Sequence, residues 1–203
     1  MSLSLHQGPL PVFESSVQLN AGAVHALPRQ EVTRGWKGEA LPASLRWVVA
    51  LDPERLWFLG EFPVQKAPPK HRPGEFVEWL AEADDVLELY VRRADGCYQE
   101  WHISPDGAWW SMLFVDYRKR VAQPRMPEGV RVDVTAGEHS WVGVLSAPRS
   151  GLEVALDAAV HIQVSACIFS QGPGCFITSA GQPSYDPDFH DARSFRPVTF
   201  RSL

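Results

Sequence analysis

Val86-Leu87-Glu88-Leu89-Tyr90-Val91, Tyr98-Gln99-Glu100-Trp101-His102-Ile103-Ser104 and the run from Trp109 to Val115 follow one another through the middle of the chain. Each run is short, rich in β-branched and aromatic residues, and bounded by turn chemistry. Asp95-Gly96 separates the first from the second, and Pro105-Asp106-Gly107 separates the second from the third. An Asp-Gly pair supplies the positive φ that a tight hairpin turn requires. Three strands joined this closely form an antiparallel meander.

Strand side chains alternate between faces, so the same runs predict which residues point together. Leu87, Leu89 and Val91 share one face, which their character assigns to a core. Trp101 and Ile103 share the core side with Gln99. Glu88 then lies opposite with Val86 and Tyr90, and Glu100 and His102 lie opposite with Tyr98. If core meets core, Glu88, Glu100 and His102 project together from one open sheet face, joined by Gln163 and Ser165 of the strand at 161–169. Donors and acceptors so mixed suit sugar hydroxyls. A solvated outer face, which antiparallel sheets ordinarily carry, is the competing reading.

Strand patterns continue in both directions. Leu45 to Leu51 and Leu56 to Phe62 flank the turn Asp52-Pro53-Glu54-Arg55. Further strands are predicted over Gly129 to Thr135, Trp141 to Leu145, His161 to Ser170 and Val198 to Phe200. Only Pro73 to Ala83 and Leu152 to Ala158 could hold a helical turn. About ten short strands predict an all-β antiparallel sandwich of jelly-roll type. The expected organisation is one domain over residues 1–203. Within it, 45–203 form the sandwich core and 1–44 an irregular chain with an edge strand.

The 203 residues suffice for a core that needs no metal or disulfide to fold. The 17 prolines and 15 glycines favour short strands over long helices. A net charge of −5, with Arg118-Lys119-Arg120 as the longest basic run, argues against a nucleic-acid partner. No apolar run reaches the roughly 18 residues of a membrane span, and no signal peptide is visible at the N-terminus. Cys97, Cys167 and Cys175 are odd in number and lack CxxC spacing, so free thiols in a reducing cytoplasm are expected.

Most of the eight tryptophans fall inside predicted strands and read as core. Trp79 lies in the loop before the Glu88 strand, where it is either a stacking platform for a sugar ring or a loop anchor. No nucleophile elbow, zincin motif, phosphate loop or dinucleotide fingerprint is present, and no enzyme activity is expected. Asp186-Pro187-Asp188-Phe189-His190-Asp191 is the densest group of potential metal ligands. Calcium could use its carboxylates, although the alternating oxygens of a dedicated loop are missing. Asp84, Asp85 and Glu88 are the carboxylates that could pair with it in a glycosidase. Cys97 and His102 lack an orienting third group.

The stretch Arg72-Pro73-Gly74-Glu75-Phe76-Val77, the strand from Asp85 to Tyr90 and the segment from Tyr98 to Trp110 together resemble the family 9 carbohydrate-binding modules. More broadly they resemble the DOMON-like superfamily. Asp188-Phe189-His190-Asp191, followed by Phe195 and Val198-Thr199-Phe200, is similar to the closing motif of those modules. The resemblance implies a β-sandwich that clamps a glycan end between two aromatic rings. It places Glu88 at a sugar-binding carboxylate, His102 at a basic ligand residue and Phe189 at the second stacking ring. Trp79 is the nearest aromatic to the first ring, across a loop longer than the usual spacing. The implied ligand is an oligosaccharide or another small polar molecule. No cofactor is expected, and the protein is expected to be a monomer or weak homodimer. Two alternatives stand beside it. One is a cytochrome-like DOMON domain holding haem b through Met112 with His139 or His161. The other is a protein-interaction module.

Overall fold

The computed structural model describes residues 8–63, 69–82, 84–137, 140–157, 159–170, 174–180 and 186–203. Its strands are β1 (Leu10–Glu14), β2 (Gln30–Arg34), β3 (Ala40–Leu51), β4 (Arg55–Phe62), β5 (Val86–Arg92), β6 (Tyr98–Ile103) and β7 (Trp109–Asp116). They continue with β8 (Lys119–Arg120), β9 (Arg131–Ala136), β10 (Trp141–Pro148), β11 (His161–Ile168), β12 (Cys175–Thr178) and β13 (Arg196–Ser202). The turns form as their residues dictate. Asp52 Oδ1 accepts from the amides of Glu54 and Arg55, each at 2.8 Å, and closes the β3–β4 turn. Gly96 takes φ 93° in the β5–β6 turn, and the Arg93 amide donates to the Cys97 carbonyl at 2.8 Å across it.

The protein is a β-sandwich, antiparallel except around β1. One layer runs β8-β7-β6-β5-β11 with β12 on β11; the other runs β1-β3-β4-β10-β9 with β2 on β3. Strand β13 belongs to both layers, pairing with β11 through Arg196 and Pro197 and with β1 from Val198 to Ser202. Leu87, Leu89, Trp101 and Ile103 point between the layers and are fully buried there with Trp47, Phe58, Trp141 and Leu145. The two layers approach closely at Gly60, where an added Cβ would lie 2.2 Å from Leu87 Cδ1.

Residues 8–44 carry the expected edge strand and more regular structure besides. Strand β1 is interior, paired in parallel with both β13 and β3, and the edge strand is β2. Parallel pairing joins residues distant in sequence, so no turn signal announces it. A short helix, α1 (Ala21–His25), is capped by the Asn20 side chain accepting from the Ala23 amide at 2.9 Å. Its Val24 packs on Phe13, Val48, Trp57 and Leu59 and covers the outer face of the second layer. The turn foreseen within 73–83 is a 3₁₀ turn at Leu80–Glu82. Over the described residues 152–157 no helical turn forms; a 3₁₀ turn precedes them at Arg149–Gly151.

The contact between layers is testable at Gly60. Gly60→Ala should destabilise by about 1–3 kcal/mol through overpacking against the fully buried Leu87 side chain. Leu87→Ala should cost about 2–5 kcal/mol. In urea unfolding the double variant should lose clearly less than the sum, because removing Leu87 makes room for the added methyl. Additive losses would mean that the two residues do not touch.

Candidate functional site

The alternation that sends Leu87, Leu89, Trp101 and Ile103 inward sends Glu88, Tyr90, Tyr98, Glu100 and His102 to the outer face of the first layer. Register then sets the neighbours. Glu88 stands opposite His102 and Ser165, Tyr90 opposite Glu100 and Gln163, and His102 opposite Trp110. The expected parity therefore holds, but the face is not open. Glu88, Glu100 and His102 are only 1–3% exposed. A second apolar cluster covers them, with Trp36, Leu80, Trp110, Met112, Phe189 and Phe195 among its members.

The cover comes from three distant segments. The β2–β3 connection brings Trp36, whose amide donates to the Phe176 carbonyl of β12 at 2.6 Å. The stretch after Asp186 brings Phe189, whose ring meets Trp36 edge-on at 5.2 Å and lies 6.5 Å from Tyr90. The third segment, 75–79, is tied to β7: Val77 donates to the Trp109 carbonyl at 3.0 Å, and Trp109 to the Glu75 carbonyl at 2.9 Å. Trp79 follows at φ 61°, its ring 5.3 Å from Trp110 and about one-third exposed.

A half-enclosed cleft of about 380 Å³ remains under this cover. Trp79, Glu88, His102 and Phe189, singled out in the sequence, all line it. Tyr90, Glu100, Trp110, Phe176 and His190 line it too, as do Arg118 and Arg120 of the β7–β8 hairpin. Trp79 packs on the β7 side through Trp110, and Phe189 on the β5 side through Tyr90, so Glu88, His102 and Glu100 form the floor between two aromatic groups. Trp79 and Arg118 (φ 51°) are the non-glycine residues with positive φ among those described. Strain of this kind collects where a side chain must be aimed.

His102 Nε2 lies 3.6 Å from Glu88 Oε1 and 3.5 Å from Glu100 Oε2. Glu88 also accepts from the Ser165 hydroxyl at 2.7 Å and from the Tyr90 hydroxyl at 3.2 Å. Burial raises the Glu88 carboxyl above its ordinary range against the pull of His102. Burial pushes the same way on Glu100, but His102 and His190 outweigh it and hold that carboxyl low. For His102, burial alone would depress the imidazole, yet Glu88 and Glu100 win and raise it.

Several buried polar atoms in this cleft have no hydrogen-bond partner: Glu100 Oε1, both ring nitrogens of His102 and Trp110 Nε1. His190 Nδ1 stands 3.2 Å from Glu100 Oε1, an ion-pair distance without hydrogen-bond alignment, and 2.8 Å from the Tyr98 hydroxyl. Native interiors satisfy nearly all such groups. Donors and an acceptor that lack aligned hydrogen bonds at the base of a cleft are groups that a polar ligand would complete.

The other chemistry-bearing candidates lie elsewhere or are committed to the fold. Asp85 caps the chain after β11, accepting from the Phe169 and Ser170 amides at 2.6 and 2.9 Å. Asp84 pairs with His71 at 2.9 Å and with Lys70. Asp188 accepts from the Tyr117 hydroxyl and from Arg118, at 2.6 and 3.0 Å, and so latches the β7–β8 hairpin to the segment bearing Phe189. Asp191 caps the 3₁₀ turn at Ala192–Ser194. Among the described residues no three potential ligands gather to hold a metal ion. Met112 is packed under the cleft, His161 lies three strand spacings away, roughly 14 Å, and His139 falls outside the described residues. Cys97 faces the core between the layers, on the opposite side of the sheet from His102. All three cysteines are thiols, and burial holds that of Cys167 well above its ordinary range.

No protein-family model matches the chain, and no curated protein matches it. Solved structures do. A proposed carbohydrate-binding protein from Bacteroides uniformis superposes with a TM-score of 0.72 at 15% identity, over 96% of this chain and 99% of that one. A family 9 carbohydrate-binding module from Caldicellulosiruptor kristjanssonii in complex with glucose gives 0.60 at 7% identity, over 95% and 96%. Its complex with cellotriose gives 0.59 at 6% identity, over 95% and 94%. At such identities what is shared is the fold: this chain is a β-sandwich of the shape that family 9 carbohydrate-binding modules adopt.

Proposed function

We propose that the protein is a non-catalytic sugar-binding module whose ligand, an oligosaccharide or sugar-like molecule, enters the cleft over β5, β6 and β7. The observation that carries this reading is the half-enclosed cleft in which buried polar atoms of Glu100, His102 and Trp110, lacking aligned hydrogen bonds, lie beneath an aromatic rim. A sugar ring offers hydroxyls that both donate and accept, together with an apolar C–H face, which is the complement of such a floor and rim. The cavity of about 380 Å³ falls within the roughly 300–1,000 Å³ usual for small-molecule sites. In this reading Phe189 and Trp79 pack on the sugar, while Glu88, Glu100 and His102 bond its hydroxyls. The fold likeness to modules solved with glucose and cellotriose supports the same ligand class.

Calorimetry with glucose, cellotriose and xylo-oligosaccharides tests it. Binding should be measurable at millimolar sugar. Phe189→Ala or Trp79→Ala should weaken it by about 2 kcal/mol or more, as for an anchor residue. Glu88→Gln should weaken it while leaving the fold intact. Absence of heat with every sugar would remove the proposal.

The floor also sets a pH dependence of stability. Glu88 and His102 both hold protons more tightly folded than unfolded, so their contribution is complete below their ordinary values of 4.5 and 6.5 and fades as pH rises through the raised ones. Glu100 has the opposite sign: its contribution is present above 4.5 and is lost as pH falls through its lowered value. The melting temperature should therefore decline as pH rises above about 6.5, the ordinary value of the imidazole. His102→Gln should flatten that decline. An unchanged slope in this variant would show that His102 is not the titrating group.

A further inference from the structure

Charge is distributed unevenly around the cleft. At the floor the His102 ring stands 3.5 Å from Glu100 and 3.6 Å from Glu88, so the carboxyls there have a basic partner of their own. At the rim Arg118 is matched by Asp188 at 3.0 Å. Arg120 is different. Its guanidinium lies over the Trp79 ring, 4.3 Å from the centroid, and among the described residues no carboxylate pairs with it. The β7–β8 register sets Arg120 opposite Phe114, on the face of the sheet that carries the cleft.

A guanidinium held over an aromatic ring still carries N–H donors along its edge, with which it can grip an anion. The contact with Trp79 also holds the guanidinium in place before a ligand arrives, which lowers the ordering cost of using it. A neutral sugar would leave this cation unmatched beside the bound ring, whereas a sugar carrying a carboxylate would match it.

We infer that the preferred ligand is an acidic saccharide, its hydroxyls on the Glu100–His102 floor and its carboxylate on the Arg120 guanidinium held over Trp79. This rests on the sugar-binding reading and narrows it to a ligand class. Trp79 thereby acquires a second role, because one face of its ring carries Arg120 and positions the cation while the ring still forms part of the rim.

Methyl glucuronide and methyl glucoside share one ring and differ in the carboxylate, so the pair isolates the inference. Calorimetry on the intact chain should find the glucuronide about tenfold tighter than the glucoside at low salt, the worth of one charge-assisted bidentate contact. Raising salt from about 0.05 M to about 0.5 M should shrink that ratio, because the rim is exposed. Arg120→Gln should bring the ratio close to one, and Arg120→Lys should restore part of it. If glucoside and cellotriose bind and the glucuronide is no tighter, the acidic-ligand inference falls and the sugar-binding reading stands. Tighter binding of both methyl glycosides by Arg120→Gln would overturn it as well, showing that Arg120 merely shields the ring. Failure of all three sugars to bind would remove both readings.

Discussion

The space between the two layers is filled by Leu87, Leu89, Trp101 and Ile103, and that filling dictates the rest of the first layer. A strand has only two faces. Once these four side chains are committed inward, Glu88, Tyr90, Glu100 and His102 must stand together on the other side. A slip of one residue in β5 or β6 would bury the carboxylates against Trp141 and Phe58 and unmake the sandwich. The polar floor is therefore a geometrical consequence of the core, aligned by the same register and as rigid as the core beneath it.

What happens above that floor departs from the usual solvated outer face. Trp36, Leu80, Phe189 and Phe195 close over it, so carboxylates and an imidazole sit in a low-dielectric setting. Burying charge in this way is costly unless partners are supplied. Part of the cost is met locally: Ser165 and Tyr90 donate to Glu88, and His102 stands between two carboxyls. The remainder is not met, leaving acceptor and donor atoms of Glu100, His102 and Trp110 facing the cleft. A site of this type is pre-organised, since its polar atoms are held by sheet register rather than by mobile loops.

The rim is built by different physics. Trp79 and Arg118 both adopt positive φ, each tied down by neighbouring contacts: Val77 on β7 and buried Leu80 on either side of Trp79, and Asp188 for Arg118. The bond from Arg118 to Asp188 joins the β7–β8 hairpin to the chain carrying Phe189. The two aromatic groups of the cleft thus belong to one connected framework, with the hydrogen-bonded floor as its base.

Local sequence alone determined the strands of the meander, their turns and the parity of every residue in them. Asp-Gly, Pro-Asp-Gly and period-two alternation are short-range signals, and they were sufficient to group Glu88, Glu100 and His102 and to set Leu87, Leu89, Trp101 and Ile103 against them. The tertiary structure alone decided that this polar face is covered. Trp36, Phe176 and Phe189 reach it from positions far apart in the chain, and no periodicity links them to β5 or β6. It also decided that β1 is interior, because parallel pairing with β3 and β13 leaves no turn signature. The place of Arg120 over Trp79 was equally illegible: the basic run at 118–120 reads as a solvated strand end until the hairpin folds its cation back across the ring. Alternation is written in neighbours a few residues apart, while a cover is written in the packing of distant segments, which only the assembled sandwich brings together.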